Sequence, residues 1–461
     1  MAIREVILVL FLVGVCVYAW KDWYVALCAL IFLTALLENH NIPKSIMHIQ
    51  GLNPWTILFL VTLVPYLIER FKAGPRWDVP SLAIFIVVAY MAVIVIAVCR
   101  LLMDLESLPV GGGDSAARWR AYHQPSIVIS DFMINPIKFM LPAILLYDGC
   151  RTRRRMLLAL GTLFLTGVVL AVLVIKVTPL GVLTGSFHPL DFRNRINNQI
   201  GLHANSAALY LGGLLWGMLA STRGRWLGKY RIPMLGASGV VLIVFLICFS
   251  RTGYASFLLT GFFFGVLYWR ALLFLIPIGT FASAVAFPNV IERLATGFDF
   301  SGTGAAADVD TITAGRTGYL WPAALKQIAD EPFIGLGRLG LLRSTAYDEI
   351  YAIQGEVPIH PHCTYLEVLL DSGVIGLAVV LAMMGGVLWI TISLARLRNQ
   401  PLFSTVGATG LAMALAAMVG GAGGRFFMIP SHYLMMIWCT WALALRAWVV
   451  SRQWPAARGR R

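Results

Sequence analysis

Charged side chains are scarce in this sequence: Asp, Glu, Lys and Arg make up 13% of its 461 residues, and 59% are hydrophobic. A soluble globular protein carries about a quarter charged residues. A chain so short of charge cannot cover a water-facing surface, which excludes a soluble globular fold and makes the bilayer its natural solvent. Acid is the scarcer sign, with 22 Asp and Glu against 36 Lys and Arg, a formal net charge of +14. The excess is not spread as a nucleic-acid surface would require. It falls in short clusters between apolar runs, at Arg151 to Arg155, Arg223 to Arg231, Arg396 and Arg398, and Arg452 to Arg461. That is the positive-inside pattern of cytoplasmic loops, so nucleic acid is not an expected partner. Cysteine is sparse too, with seven residues mostly inside apolar runs and no CxxC pair, which leaves no disulfide framework or zinc ribbon. No internal repeat, coiled coil or separate soluble domain is visible. The apolar stretch from Ile3 to Trp20 lacks a small-residue cleavage site and reads as a retained membrane segment.

What is abundant is apolar run length. Runs near the ~20 residues needed to cross ~30 Å of hydrocarbon recur throughout, and mean hydropathy is +0.78. Backbone in lipid must bond to itself, so the sequence predicts an all-α polytopic membrane protein. Expected spans are 53–69, 80–103, 126–148, 156–177, 204–221, 232–250, 252–269, 271–288, 364–394, 402–420 and 433–450. The first 38 residues admit one long span or two short ones broken at Lys21-Asp22. An inside N-terminus requires an even total, so twelve spans are expected, with thirteen as the alternative. With the basic clusters inside, segments 104–125, 178–203 and 289–363 are external, as are the Ser250–Gly253 turn and loop 421–432. The chain thus divides into N-terminal membrane helices (1–288), a large external loop with short helices (289–363), and C-terminal helices with a basic tail (364–461).

The 289–363 loop is the one long polar segment, and long loops of this kind are usually functional. It opens with a Gly/Ala-rich stretch, Ser301 to Ala307, and continues with an amphipathic helical run from Tyr319 to Ala329, ended by Asp330-Glu-Pro. Basic residues on the external side run against the positive-inside rule. They are Arg193 and Arg195 in the second external loop, Arg251, Arg316, Arg338 and Arg425. Lys138 sits inside an apolar stretch, where a charge is expensive and marks function by default. Guanidinium forks match phosphate oxygens, so a convergent set would suit a diphosphate; singly, each arginine reads as a helix-end or lipid-headgroup contact. His362, just ahead of a span, has a side chain able to take a proton near neutral pH. His360 competes with it, and a lone histidine is more often structural.

Three patterns are weaker. Gly335 to Gly340 matches GxGxxG but lacks the strand–turn–helix context of dinucleotide binding. Asp308-Val-Asp310 has the form of a metal-dependent sugar-transferase motif, in a Gly/Ala-rich setting. His360-Pro-His362 has no clear third ligand for zinc. No metal or other cofactor is expected.

Three stretches together resemble the O-antigen ligase and polymerase superfamily of bacterial envelope glycan transferases. They are Ser250-Arg-Thr-Gly-Tyr-Ala-Ser; Gly315-Arg-Thr-Gly-Tyr-Leu-Trp with Asp330-Glu-Pro-Phe-Ile-Gly-Leu-Gly; and His362-Cys-Thr-Tyr-Leu-Glu, followed by Gly373-Val-Ile-Gly. The last is similar to the family's His-Asn-x-Tyr-Leu, with Cys363 where Asn is frequent. The resemblance covers roughly residues 200 to 380. It implies a GT-C-like inverting transferase of the bacterial inner membrane, with its active site facing the periplasm. The implied donor is a glycan on undecaprenyl diphosphate. In that family Arg251 and Arg316 would hold the diphosphate and His362 would be the catalytic histidine. Arg193, Arg195 and Asn205 are added here from their side of the membrane and composition, with His360, Tyr365, Arg338 and Lys138 as supporting candidates. Ligase, polymerase and protein O-glycosyltransferase share the donor and differ in acceptor. The short stretch after the last span favours the ligase, whose acceptor is lipid A-core. The rival from another class is a transporter or flippase for an anionic lipid, which would want charges through its spans and a pseudo-repeat.

Overall fold

A computed structural model describes residues 3–37, 53–74, 77–109, 119–179, 181–182, 188–223, 226–267, 269–286, 290, 313, 315–425 and 432–458. Among them the secondary structure is helical. Eight helices are long and apolar enough to cross a membrane, as expected of a polytopic helical protein. The helices are α1 (Ile3–Ala19), α2 (Trp23–Leu37), α3 (Pro54–Ala73), α4 (Ser81–Leu102), α5 (Pro125–Gly149), α6 (Arg153–Val177) and α7 (Pro189–Ile200). They continue as α8 (Ala204–Ser221), α9 (Arg231–Ile247), α10 (Arg251–Leu267), α11 (Leu272–Ala286), α12 (Trp321–Asp330), α13 (Ala346–Gln354), α14 (Thr364–Ala395), α15 (Pro401–Gly423) and α16 (His432–Arg458).

The N-terminal run is broken into two helices at Trp20 to Asp22, both shorter than the eight that are long enough to cross. The break has a polar anchor: Asp22 pairs with Arg155 at 3.3 Å, so the α1–α2 turn lies beside the basic α5–α6 turn. Further ion pairs gather at this end, Arg70 with Asp148 at 3.6 Å and Arg446 with Asp78 at 2.6 Å. Asp148 also pairs with Arg151.

Helix α15 forms the centre, packed against α8, α10, α14 and α16. Lipid supplies no hydrophobic force between helices, so close approach rests on small residues. A Cβ on Gly213 of α8 would strike Met413 of α15, and one on Gly217 would strike Thr409. Both positions need glycine for packing space, four residues apart on one face.

The segment ahead of α14 docks by its backbone. Helix α14 is interrupted at Gly373, whose φ is +62°. Into that break fits the stretch from Pro332 to Gly337: Leu336 N–H donates to Leu370 O at 2.6 Å and Gly337 N–H to Asp371 O at 3.0 Å. In return Val374 N–H donates to Pro332 O at 2.8 Å. Gly335 and Gly337 both have positive φ, and a Cβ on Gly335 or Gly373 would meet main-chain atoms. The GxGxxG pattern is therefore a requirement for main-chain contact within the protein, with Arg338 N–H reaching Ala97 O of α4 at 2.8 Å.

Candidate active site

Five chain segments meet where α8, α10 and α14 begin and α15 ends. The first is α7, where Phe192, Ile196 and Ile200 form the buried stripe. Arg193 lies beside that stripe and reaches inward. Its guanidinium donates to Phe249 O at 2.9 Å and to Asn205 Oδ1 at 3.0 Å. Arg195 is two positions on, about 200° round the helix, and is exposed. The two arginines therefore point apart, because the segment expected to be loop is helical.

The second segment is the turn between α9 and α10. Phe249 has φ +48°, an uncommon value for a non-glycine residue, and reverses the chain tightly. Ser250 Oγ donates to Asn205 Oδ1 at 2.9 Å and accepts from Gly253 N–H at 3.1 Å, capping α10. Asn205 Oδ1 thus joins Arg193 to the Ser-Arg-Thr-Gly turn. Arg251 opens α10, half-buried at this edge.

The third segment begins at Gly315, which has φ +79° and starts the Arg316–Leu320 turn leading into α12. Arg316 donates to Gly423 O, at the end of α15, at 2.7 Å. Burial lowers its pKa, and its electrostatic neighbours are the Cys363 thiol and the Tyr319 hydroxyl. The fourth segment is that end of α15, where Gly424 O accepts from both the backbone and the hydroxyl of Thr364 at 3.1 Å. Beside it, Gly423 abuts Thr252 of α10, whose hydroxyl a Cβ there would meet at 3.0 Å.

The fifth segment is His360-Pro361-His362. Trp321 Nε1 of α12 donates to Pro361 O at 3.0 Å and fixes the turn. His362 has φ +53°, and its N–H donates to His360 Nδ1 at 3.2 Å. With Nδ1 an acceptor, neutral His360 carries its proton on Nε2. The two rings meet edge to face, centroids 4.4 Å apart. Burial, then His360, Arg316 and His203, push the His362 imidazole down to about 3. Burial, then Arg338 and Arg316, push His360 down to about 4. Both histidines are therefore neutral at physiological pH, held so by burial and by cations from separate segments.

Sequence alone did not single out His203. It precedes α8 as His362 precedes α14, and its Nδ1 accepts from Asn205 N–H at 3.2 Å. Its pKa is lowered by burial and by Arg193. The usable signal was the repeated placement of a histidine just ahead of a helix, at His203 and His362. Other candidates are committed elsewhere. Tyr365 donates its hydroxyl to Met418 O at 2.8 Å, pinning α14 to α15. Arg338 is buried between Glu367 at 2.9 Å and Asp371 at 2.5 Å, over the Phe132 ring. Arg425 also pairs with Glu367, at 2.9 Å. The charges of Arg338 and Arg425 are thus balanced inside the protein, while Arg193 and Arg316 are oriented by carbonyl oxygens. Lys138 lies over Trp55 at 4.8 Å and Phe139 at 5.2 Å, a cation–π position in α5. Among the described residues no three His, Cys, Asp or Glu gather as a metal-ligand set; Asp308 and Asp310 lie outside those residues.

Comparison with known proteins adds a family. No curated protein matches the chain. Residues 236–381 match a family model described as O-Antigen ligase. That range includes Arg251, Arg316, His360 and His362, and begins after Arg193, His203 and Asn205. The match thus runs from α9 to the first half of α14, about a third of the chain, within a polytopic membrane protein.

Proposed function

We propose that the protein is an O-antigen ligase of the bacterial inner membrane, GT-C-like in architecture. It moves a glycan from undecaprenyl diphosphate to a hydroxyl of lipid A-core at the periplasmic face. The observation that carries this reading is the meeting of His362 with Arg316, and through His203 with Arg193, at one membrane edge. A buried base beside a guanidinium suits a reaction whose leaving group is an anion.

In the proposed step the acceptor hydroxyl oxygen bonds to C1 of the first donor sugar as the C1–oxygen bond to diphosphate breaks. Attack from the face opposite the leaving group inverts C1. The hydroxyl proton goes to the free nitrogen of His362, a contribution of ~10² to 10⁴-fold for general-base catalysis. The electron pair goes to the diphosphate, whose charge is met by Arg316, Arg251 and Arg193. Preorganised donors aimed at developing charge often contribute more to the rate than any other single effect. Fixed guanidinium groups fill the charge-neutralising role that a divalent ion otherwise takes, so transfer is metal-independent.

The guanidinium beside His362 gives the site a sequence of events. In the free protein burial first, and Arg316 with it, keep the imidazole neutral but weakly basic. An arriving diphosphate offsets the Arg316 charge and raises the basicity of His362, so the base strengthens when donor is bound. Reconstitution tests the reading: purified protein, lipid-linked glycan and lipid A-core are combined with and without a chelator. Product that is insensitive to the chelator is expected. Transfer to another acceptor, with lipid A-core untouched, would reassign the protein to a polymerase or protein glycosyltransferase.

A further inference from the structure

His362 stands in a conformation that ordinarily belongs to glycine. Its φ of +53° lies in the left-handed region, where a side chain is strained unless its neighbours hold it. Glycine would relieve the strain, but the proposed base needs an imidazole at this position, so the turn has to be held by contacts around it. Three contacts do so. Trp321 Nε1 donates to Pro361 O at 3.0 Å ahead of it, and Thr364 N–H donates to Gly424 O at 3.1 Å behind it. The third is on His362 itself. Its N–H donates to His360 Nδ1 at 3.2 Å, and the two rings lie edge to face with centroids 4.4 Å apart. One side chain, His360, thus touches both the backbone and the ring of His362.

His360 can accept at Nδ1 only while it is neutral, and its surroundings favour that form. Arg338, one of its electrostatic neighbours, is fixed between Glu367 at 2.9 Å and Asp371 at 2.5 Å. Arg425 pairs with Glu367 as well, at 2.9 Å, and Gly340 N–H donates to Asp371 Oδ1 at 3.1 Å. His360, Pro361, Glu367 and Asp371 line one cavity of about 10 Å³, the room of about one water. Two carboxylates in that wall would draw a proton onto the imidazole, but both are already matched by guanidinium groups. Burial first, then Arg338 and Arg316, push His360 down to about 4. Its bare Nδ1 is therefore present above that value and is lost only as pH falls through it.

We propose that His360 is a positioning residue, whose Nδ1 holds the His362 N–H and so fixes the left-handed turn that presents the base. It is an acceptor for the main chain, and neither a second base nor a proton relay. Arg338, Glu367, Asp371 and Arg425 serve the same end, keeping that acceptor unprotonated while their own charges cancel inside the protein. Misplacing a reacting group by about 1 Å costs on the order of 10²-fold in rate, so a side chain that touches no substrate can govern kcat. The kinetic consequence rests on the ligase reading, whereas the hydrogen bond does not.

Two variants of similar size separate an acceptor from other roles. In His360→Asn the side-chain oxygen lies near the place of Nδ1 and can accept, whereas His360→Leu has a similar branched shape and no acceptor. Transfer kcat is expected to stay within about fivefold of wild type in His360→Asn and to fall about 10²-fold in His360→Leu, with KM for the donor unchanged in both. Equal losses in the two variants would mean that the imidazole itself is needed, as a base or relay. Equal retention would mean that only space is filled. Either result overturns the inference. The second measurement needs no turnover. Full-length protein with isotope-labelled histidine is placed in nanodiscs, and the His360 ring nitrogens are identified by NMR from their absence in His360→Asn. A proton on Nε2 and a bare Nδ1, unchanged from about pH 8 to about pH 5, is expected. A proton on Nδ1, or titration of the ring within that range, overturns the inference. The expected ring form in a wild type that transfers to no acceptor would support the positioning contact while the ligase reading falls.

Discussion

At the scale of single residues, the site is organised by what the buried cations are paired with. Arg338 and Arg425 meet carboxylates, whereas Arg316 is oriented by a carbonyl and Arg193 by a carbonyl and a side-chain amide. From sequence all four read alike, as external arginines against the positive-inside rule. Pairing decides their roles, and it depends on Glu367 and Asp371, residues of a membrane helix whose partners no spacing reveals. Replacing Arg316 by Ala is expected to cost ~10² or more in kcat, the usual scale for one oxyanion-type donor. Arg195→Ala should leave transfer within about twofold of wild type, because that side chain faces outward. Steady-state transfer kinetics distinguish the two. The pH dependence has a definite sign. His362 in the free protein is pushed down to about 3, so its neutral, proton-accepting form persists as pH falls well below the ordinary histidine range. The kcat/KM profile, which reports free enzyme, should stay flat from pH 8 down to about 5. Its acid limb should lie below the limb in kcat, where bound diphosphate raises the same group. A kcat/KM limb centred near the ordinary histidine pKa of about 6.5 would count against the arrangement.

At the scale of elements, hydrophobic run length made the helices legible: each of the eleven expected spans after the first 38 residues has a helix at its position, eight of them long and apolar enough to cross a membrane. The amphipathic run after Tyr319 is also helical, as α12. Less legible are the features that depend on main chain meeting main chain. The break in α14 at Gly373 exists because the Pro332 to Gly337 stretch needs carbonyl and amide partners there. An apolar run of that length reads as one helix, since backbone pairing leaves no hydrophobic pattern. Arg193 and Arg195 act as a pair only if the 178–203 segment is loop. The helical stripe that separates them, Phe192, Ile196 and Ile200, is present in the sequence but short. Gly373→Ala combines a left-handed backbone with a Cβ aimed at the Phe333 backbone. It should destabilise the protein by about 2 kcal/mol or more, read as a lower thermal midpoint in detergent, with retained spectroscopic helicity below the transition.

For the whole molecule, topology links the N-terminal helices to the site at the far end. The Asp22–Arg155 pair sets the α1–α2 turn among the basic loops that the charge pattern assigns to the cytoplasm. If α1 and α2 both cross, the N-terminus is external and the total is odd, the thirteen-span alternative. The sequence could not choose, because the first 38 residues are compatible with either arrangement, and the contact that bears on the choice comes from α6. A Lys21→Cys variant carrying no other accessible thiol should react with membrane-impermeant maleimide only after the cytoplasmic face is opened. Labelling in intact spheroplasts would place that turn outside and restore the even count.

Catalysis as proposed depends on five segments assembling one base within a field of cations, and a single assay addresses it. His362→Ala is purified, shown to be folded by its thermal transition, and shown to retain lipid-linked donor. Transfer to lipid A-core is then followed beside wild type with chelator present. Loss of transfer by ~10² to 10⁴-fold with donor binding intact is the predicted result. Transfer at the wild-type rate would contradict it.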